Sequence, residues 1–428
     1  MSAALTLAVL AILVLASNAK HAVLGEPLVF SDLALIGAIF RHPQFYLSAV
    51  PAWQRATVAM AAVALLAVIA WLFVPDLAAH ATGLAILVAS LGVLALSLRL
   101  SPFKELGRTP RNEADVRRLG LTPTLMLYWR RWRQSRDPLP CPPKDRRAAQ
   151  DSPELLVLIQ CESFADPVEL FGDEALALPH LGAARARAWQ YGNLRVSGFG
   201  AYTMRTEYAV LFGREEEELG FRRYDPFLTA LGEASYALPA RLGASWRSAF
   251  IHPHDMRFYG RDAIMPSAGF SELVGEDRFE PPKPGEGRYV TDAAIADEIL
   301  DLARAARQPS LLYAVTIENH GPWAPDTTMG GGDLVTSYMR LARNSDAMLK
   351  QLIEGLATVG RPVMLVFFGD HRPSIPGATD PGGDRYTPYV IVRLDADGQF
   401  VGGENRRVDL TPAGMHHAIL DLVLGDPV

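Results

Sequence analysis

Three apolar runs in the first hundred residues, at 3–16, 56–74 and 82–98, contain no charged side chain, and they constrain the fold more than any other feature of the chain. The second and third are long enough, or nearly so, to cross about 30 Å of hydrocarbon, where an isolated charge is costly. The first is shorter and has a second reading as a signal peptide. No basic residue precedes it, however, and Ser17-Asn18-Ala19-Lys20 makes a poor cleavage site, so a membrane helix is expected. The stretch 33–40 is too short to span. Flanked by Asp32 and Arg41, it is expected at the interface or packed on the helices.

Charge divides the chain further. Residues 1–100 carry 4 basic and 3 acidic side chains, 101–150 carry 12 and 5, and 151–428 carry 25 and 39, so the segments stand at about +1, +7 and −14. An acidic main part argues against nucleic acid as partner, and a basic segment beside apolar runs points to an anionic membrane surface. The expected organisation is a membrane region at 1–100 with about three transmembrane helices, a basic juxtamembrane linker at 101–150, and an extracytoplasmic catalytic domain at 151–428. Within the linker, Leu125-Met126-Leu127-Tyr128-Trp129-Arg130-Arg131-Trp132-Arg133 interleaves aromatics with arginine, as an interfacial helix does. Pro138, Pro140, Pro142 and Pro143 then mark a boundary near residue 150. Orientation is open at this point, because three spans with the N terminus inside export the C-terminal part, whereas the arginines after Leu98 favour the cytoplasm. Two cysteines, Cys141 and Cys161, cannot build a disulfide framework, so the main domain must be held by an ordinary core.

Beyond residue 150, short apolar runs alternate with helical patterns, which predicts an α/β domain with a central, mostly parallel sheet flanked by helices. Strands are expected at 155–159, 248–251, 311–317, 363–368 and 389–392. Helices are expected at 292–307, entered through Thr291, and at 334–356. Four of the strands run straight into clusters of Glu, His or Asp: Cys161-Glu162-Ser163-Phe164, His252-Pro253-His254-Asp255, Glu318-Asn319-His320-Gly321 and Gly369-Asp370-His371-Arg372. In open α/β sheets ligands bind at the carboxyl ends of strands, so four such endings together point to a metal or phosphate site, although any one alone is more often a cap or turn. A fifth element, Ser197-Gly198-Phe199-Gly200-Ala201-Tyr202-Thr203, is a glycine-punctuated loop entering an apolar helical pattern. There a Thr hydroxyl sits where free backbone N–H groups and the helix dipole favour negative charge, in a place that also suits a plain N-cap.

These residues resemble the lipoteichoic acid synthase and phosphoglycerol transferase group of the alkaline phosphatase and sulfatase superfamily, over residues 155–395. Leu24-Gly25-Glu26-Pro27-Leu28 and Ser31-Asp32-Leu33 are similar to that family's membrane region. The resemblance implies an alkaline phosphatase/sulfatase-like domain preceded by transmembrane helices. It also implies one divalent ion held by Glu162, Thr203, Asp370 and His371, Mn²⁺ by the family's habit. Thr203 would be the nucleophile. The family's headgroup motif of His, an aromatic at seven and Arg at nine is similar to His252, Tyr259 and Arg261. Its Asn-His-x-Pro element resembles Asn319-His320-Gly321-Pro322, which makes His320 both a catalytic and a substrate-binding candidate. Two departures stand out: the aromatic is Tyr259 where Trp is usual, and Pro253-His254 replaces Gly-Asn after His252.

An oxygen-rich set with one imidazole suits Mn²⁺ or Mg²⁺, and Zn²⁺ also binds such ligands. The activity implied is metal-dependent transfer of phosphoglycerol from a phosphatidylglycerol-like lipid, through a phospho-threonine, to a glycan or glycerol hydroxyl. The implied setting is the bacterial cytoplasmic membrane, multi-pass, with the catalytic domain periplasmic or extracellular. Phosphoethanolamine transfer, metal-dependent phosphodiester hydrolysis and a catalytically silent membrane-anchored binding module are the alternatives. A formylglycine sulfatase needs a Cys-x-Pro-x-Arg type motif, which neither Cys141-Pro142-Pro143-Lys144-Asp145 nor Cys161-Glu162-Ser163-Phe164-Ala165 provides. Glu215-Glu216-Glu217-Glu218 is expected to be a solvated turn or helix start. Gly330-Gly331-Gly332 and Pro381-Gly382-Gly383 are expected to be loops, because neither has the lysine of a phosphate loop.

Overall fold

The computed structural model describes residues 2–35, 52–97, 100, 106–142, 152–283, 287–323, 333–403 and 405–425. It divides into two compact units, Met1–Ser135 and Arg136–Val428. The expected glycine loop at 330–332 and part of the short stretch at 33–40 lie outside the described residues.

In the first unit each charge-free run folds as a helix: α1 (Ser2–Leu24), α2 (Ala52–Trp71) and α3 (Leu77–Ser97). Within α3, Leu77–Leu94 is long and apolar enough to cross a membrane, with mean hydropathy 2.0 and none of it buried by protein. The apolar parts of the other two, Val9–Leu24 and Ala59–Trp71, are shorter than a span, so among the described residues one of the three expected helices meets the length requirement. The segment after α1 is held by polar contacts. Lys20 Nζ reaches Asp32 Oδ2 at 2.5 Å and the Pro27 carbonyl at 3.2 Å, while the Val29 N–H donates to Asp32 Oδ2 at 2.8 Å. Two further helices follow, α4 (Asn112–Leu119) and α5 (Leu121–Gln134), the second covering the aromatic-arginine stretch. It buries Thr124, Leu125, Leu127 and Tyr128 and leaves Met126 and Trp129 exposed.

The second unit starts earlier than the proline-rich boundary expected near 150. Residues 137–142 are bonded into it: Asp137 accepts from Arg222, the Cys141 N–H donates to Ser235, and Arg241 donates to the Pro142 carbonyl. Its centre is an eight-stranded sheet of β1 (Leu155–Cys161), β2 (Gln190–Arg195), β3 (Arg247–Ile251), β4 (Glu272–Val274), β5 (Ser310–Val315), β6 (Val363–Gly369), β7 (Tyr386–Leu394) and β8 (Arg406–Arg407). The order is β4-β3-β5-β1-β6-β7-β2-β8. β7 runs antiparallel to both β6 and β2, and the remaining pairings are parallel. The five expected strands are present, and β2, β4 and β8 extend the edges.

Central strands β1, β5 and β6 are buried on both faces, which is why they read as unbroken apolar runs and not as alternating ones. Leu155, Val157 and Ile159 face a core shared with α9 (Asp292–Ala305) and α10 (Leu334–Leu356), to which each buried aliphatic side chain contributes roughly 1.5–3 kcal/mol. Helix α9 begins where Thr291 accepts a hydrogen bond from the Ala294 N–H, as its N-cap role requires. The alternate residue Gln160 points to the other face, where its amide reaches the Thr203 carbonyl on α7 (Thr203–Phe212) and its oxygen accepts from the Tyr313 hydroxyl. Helices α8 (Arg261–Ser267) and α11 (Pro412–Leu424) also belong to this unit. With α6 (Pro179–Arg187) on the α10 side, both faces of the sheet are covered.

Candidate active site

Strands β1 and β6 are in register with Cys161 opposite Gly369, so the next residues of both strands, Glu162 and Asp370, emerge side by side. A Cβ on Gly369 would lie 1.9 Å from the Phe164 carbonyl oxygen, so only glycine lets β6 end this close to the turn after β1. In that turn Ser163 adopts a left-handed φ of 50°. This aims its N–H at Asp370 Oδ1 (2.8 Å) and its hydroxyl at Glu162 Oε1 (2.8 Å). Asp370 Oδ1 also accepts from the His371 N–H at 2.8 Å.

Glu162, Asp370 and His371 bring one donor atom each to within 4.8 Å of one another, all buried. His371 Nε2 lies 3.5 Å from Glu162 Oε1 and 3.5 Å from Asp370 Oδ2, while its Nδ1 is 3.1 Å from the Arg372 carbonyl, which assigns the proton to Nδ1. Asp370 Oδ2 is buried without a hydrogen bond of ordinary geometry. Burial first, and then the charge of Glu162, push the Asp370 carboxyl up to about 7, against the opposing effects of His371, Thr203 and the Ser163 N–H. Burial disfavours charge on His371 too, but the Asp370 and Glu162 carboxylates outweigh it and its pKa is raised. Two crowded carboxylates, one imidazole and a bare buried oxygen fit a hard divalent cation, which would supply the missing positive charge.

Thr203 opens α7, whose ten residues are all buried. Tyr202 before it has a left-handed φ of 77°, and Gly200 donates its N–H to the Arg372 carbonyl at 2.8 Å, which ties the loop to the strand end that carries Asp370 and His371. Thr203 Oγ1 lies 3.5 Å from Glu162 Oε2. One turn on, Thr206 donates to the Asp370 carbonyl oxygen at 2.8 Å and locks helix to cluster. The expected nucleophile and the three other expected ligands therefore meet at one place, with Thr203 at a helix N terminus where negative charge is favoured. Left-handed residues at Tyr202, just before it, and at Ser163, in the turn after β1, are a common mark of a functional site.

His252, at the end of β3, has Nδ1 3.0 Å from the Val315 carbonyl and Nε2 3.1 Å from Arg261 Nη1. Burial and then the Arg261 charge lower its pKa well below the usual value, so it is neutral with Nε2 as acceptor. Arg261 is itself buried and gives Nε and Nη2 to Glu207 on α7, at 3.0 and 2.6 Å. The expected headgroup arginine is thus an ion-pair partner of Glu207 that also orients His252. Tyr259, with φ of 63°, lies under the Arg261 guanidinium at 5.2 Å. His320 directs Nδ1 to the Gly321 carbonyl (2.7 Å). Two neighbours of these histidines had no role assigned from the sequence, His254 at 6.0 Å from His252 and Tyr289 at 5.9 Å from His320, measured between ring centres. His254 was visible in the His-Pro-His string, whereas nothing in the sequence marked Tyr289. Arg205 and Arg372, adjacent to the cluster in sequence, donate Nε to the Tyr224 and Tyr386 carbonyls.

A sulfatase family model matches residues 154–423. The chain is 31% identical over 403 residues to the capsular polysaccharide biosynthesis protein RkpI of Rhizobium meliloti (strain 1021), covering 88% of this chain and 74% of that protein. Among solved structures it resembles the Streptococcus pyogenes phosphoglycerol transferase GacH in complex with sn-glycerol-1-phosphate, with TM-score 0.52, 17% identity, and coverage of 71% of this chain and 81% of that one. It also resembles the lipooligosaccharide phosphoethanolamine transferase EptA of Neisseria meningitidis, an integral membrane protein, with TM-score 0.57, 14% identity, and coverage of 97% and 83%. At these identities the two structures share the fold with this chain, an alkaline phosphatase-like α/β sheet.

Proposed function

Because the chain belongs to the sulfatase family, we propose that it is a membrane-anchored phosphotransferase that moves phosphoglycerol from a phosphatidylglycerol-like lipid to a glycan or glycerol hydroxyl. The observation that carries this reading is the Thr203 hydroxyl at the buried N terminus of α7, 3.5 Å from Glu162 in the Glu162, Asp370 and His371 cluster. A threonine in this place, where the formylglycine enzymes need a modified cysteine or serine, favours phosphoryl over sulfate chemistry.

Glu162, Thr203, Asp370 and His371 would hold the metal, which when bound lowers the pKa of the hydroxyl and neutralises phosphoryl charge. Mn²⁺ is the metal we favour. Glu162 Oε2 orients the Thr203 hydroxyl, which would lose its proton to water, and Thr203 Oγ1 then attacks phosphorus in line with the ester to diacylglycerol. The new P–Oγ1 bond forms as that ester breaks, and His320 Nε2 gives a proton to the departing diacylglycerol oxygen. In the second half His320 Nε2 takes a proton from the acceptor hydroxyl, whose oxygen attacks phosphorus and releases Thr203. His252, Tyr259 and His320 line the headgroup pocket, with Arg261 acting through His252.

Setting and partners follow from the same reading. Helices α1, α2 and α3, which contain the charge-free runs, act as a multi-pass anchor in the cytoplasmic membrane, α5 lies at the interface, and the second unit faces the periplasm or exterior, where its donor lipid is within reach. The RkpI relationship supports a capsule-type glycan as acceptor.

Diacylglycerol release from labelled phosphatidylglycerol by the purified full-length protein with Mn²⁺ tests the donor. Release is expected from the wild type and lost in Thr203→Ala and in EDTA. No release from folded, metal-loaded protein rejects this donor, and release from phosphatidylethanolamine instead makes the protein a phosphoethanolamine transferase.

A further inference from the structure

Asn319 stands between Glu318 and His320 in the loop after β5, is fully buried, and has no part in the chemistry described above. Its amide is engaged at both ends. The Trp323 indole N–H donates to Asn319 Oδ1 at 3.0 Å, and Asn319 Nδ2 donates to the Ser163 carbonyl at 3.4 Å. An indole N–H can only donate and a carbonyl can only accept, so these two neighbours fix which end of the amide faces which. The same Ser163 carbonyl accepts from the Tyr338 hydroxyl on α10 at 3.2 Å, and that hydroxyl accepts in turn from the Ala165 N–H at 3.2 Å. Trp323 and Tyr338 also meet edge to face, with ring centres 5.5 Å apart. Three buried side chains from two elements thus converge on one carbonyl, in the turn between Glu162 and the rest of the chain.

We infer that Asn319, Trp323 and Tyr338 are positioning residues for the metal site: by gripping the Ser163 carbonyl they hold Ser163 in its left-handed conformation, from which its N–H reaches Asp370 and its hydroxyl reaches Glu162. The inference rests on the proposed metal-binding role of Glu162 and Asp370. A left-handed residue other than glycine persists only where its surroundings over-determine it, and the two donors on its carbonyl supply that constraint. Asparagine suits the central place because it carries a donor and an acceptor side by side, whereas an ionised aspartate cannot donate. Since Asn319 directly precedes His320, one amide also ties the loop of the proposed acid to the turn between the proposed ligands.

Mn²⁺ titration calorimetry of the EDTA-stripped full-length protein in detergent tests this, with melting temperatures in EDTA recorded for every variant. Trp323→Phe keeps a ring but removes the N–H, Tyr338→Phe removes only the hydroxyl, and Asn319→Asp sets an acceptor against the Ser163 carbonyl. Each is expected to weaken Mn²⁺ binding by roughly 10-fold or more, the usual effect of losing support behind a ligand. Asp346→Asn is the control. Asp346 lies on α10, as Tyr338 does, but its carboxylate accepts from the His180 and Leu181 N–H groups of α6, at 3.1 and 2.7 Å. That variant is expected to melt at a lower temperature and to bind Mn²⁺ as the wild type does. Wild-type affinity in both phenylalanine variants, or an equal loss of affinity in Asp346→Asn, overturns the inference while leaving the metal site intact. Absence of Mn²⁺ binding in the folded wild type overturns the metal reading and this inference with it. Should Asn319→Asp not fold, the two phenylalanine variants decide the matter, since each removes one polar group from a ring that stays in place.

Discussion

Arg261 grips Glu207 through two hydrogen bonds, at 3.0 and 2.6 Å, with neither side chain reaching solvent. The pair ties the helix that carries Thr203 to the segment that carries His252 and Tyr259. Removing one partner leaves an uncompensated buried charge, which costs about 3–5 kcal/mol. Arg261→Ala is therefore expected to lower the denaturation midpoint sharply, and Arg261→Lys to recover little, since an ammonium cannot reproduce the two-pronged contact. Denaturant unfolding followed by tryptophan fluorescence reads both, and a wild-type midpoint for Arg261→Ala would contradict this role.

Replacing Thr203 separates chemistry from folding. Its hydroxyl interacts with the Glu162 carboxylate, at 3.5 Å, and with the Asp370 carboxyl, whereas α7 is held by its apolar side chains and by Thr206. Thr203→Ala is expected to melt within a few degrees of wild type while losing at least about 10³-fold in turnover, the scale seen when a nucleophile is removed. Thr203→Ser should keep measurable activity. Comparable turnover in the alanine variant would rule out Thr203 as nucleophile.

Gly369 has no room for a side chain, because a Cβ there meets the Phe164 carbonyl at 1.9 Å. Gly369→Ala is expected to separate the ends of β1 and β6. It should reduce both stability, by about 1–3 kcal/mol, and Mn²⁺ affinity, since Glu162 and Asp370 stand on the two ends. Calorimetric binding and thermal melts measure the two effects, and a variant that binds Mn²⁺ as tightly as wild type would refute the coupling.

Parts of this architecture were legible in the sequence, and others were not, for physical reasons. Buried parallel strands must be continuously apolar, so β1, β5 and β6 announced themselves, as did α9 through its Thr291 cap. The clusters after those strands pointed to a metal or phosphate site before any geometry was known, and the family resemblance singled out Glu162, Asp370 and His371 within them. β2 alternates buried and half-buried positions along Gln190-Tyr191-Gly192-Asn193-Leu194-Arg195, with polar residues even where it is buried, and so carries no apolar signal. β4 and β8 are too short for a pattern to develop. The Glu207–Arg261 pair spans 54 positions and the Asp292–Ser345 contact 53, and side chains that distant meet only through the topology of the sheet. Ser163, Tyr202 and Tyr259 take left-handed conformations that favour glycine, so their backbone geometry could not be read from residue type.

Acid should weaken the fold through His416. On α11, it is buried with Nδ1 2.9 Å from the Val210 carbonyl on α7, and burial, followed by the nearby His417, depresses its pKa to about 3. An unfolded chain protonates histidine near 6.5, so between that value and about 3 the unfolded state holds the extra proton and stability falls as pH falls. From pH 7 to pH 5 the loss from this one group is about 2 kcal/mol. His416→Gln should flatten that part of the stability profile, as read by denaturant midpoints across the range. An unchanged slope in the variant would assign the acid sensitivity to other groups.

Mass spectrometry of the wild-type protein, quenched during turnover of phosphatidylglycerol with Mn²⁺, tests the central claim most directly. A glycerophosphate adduct on the peptide bearing Thr203, absent without Mn²⁺ and absent from Thr203→Ala, is the expected result. Turnover with no adduct on that peptide, or an adduct that persists in Thr203→Ala, would contradict transfer through this threonine.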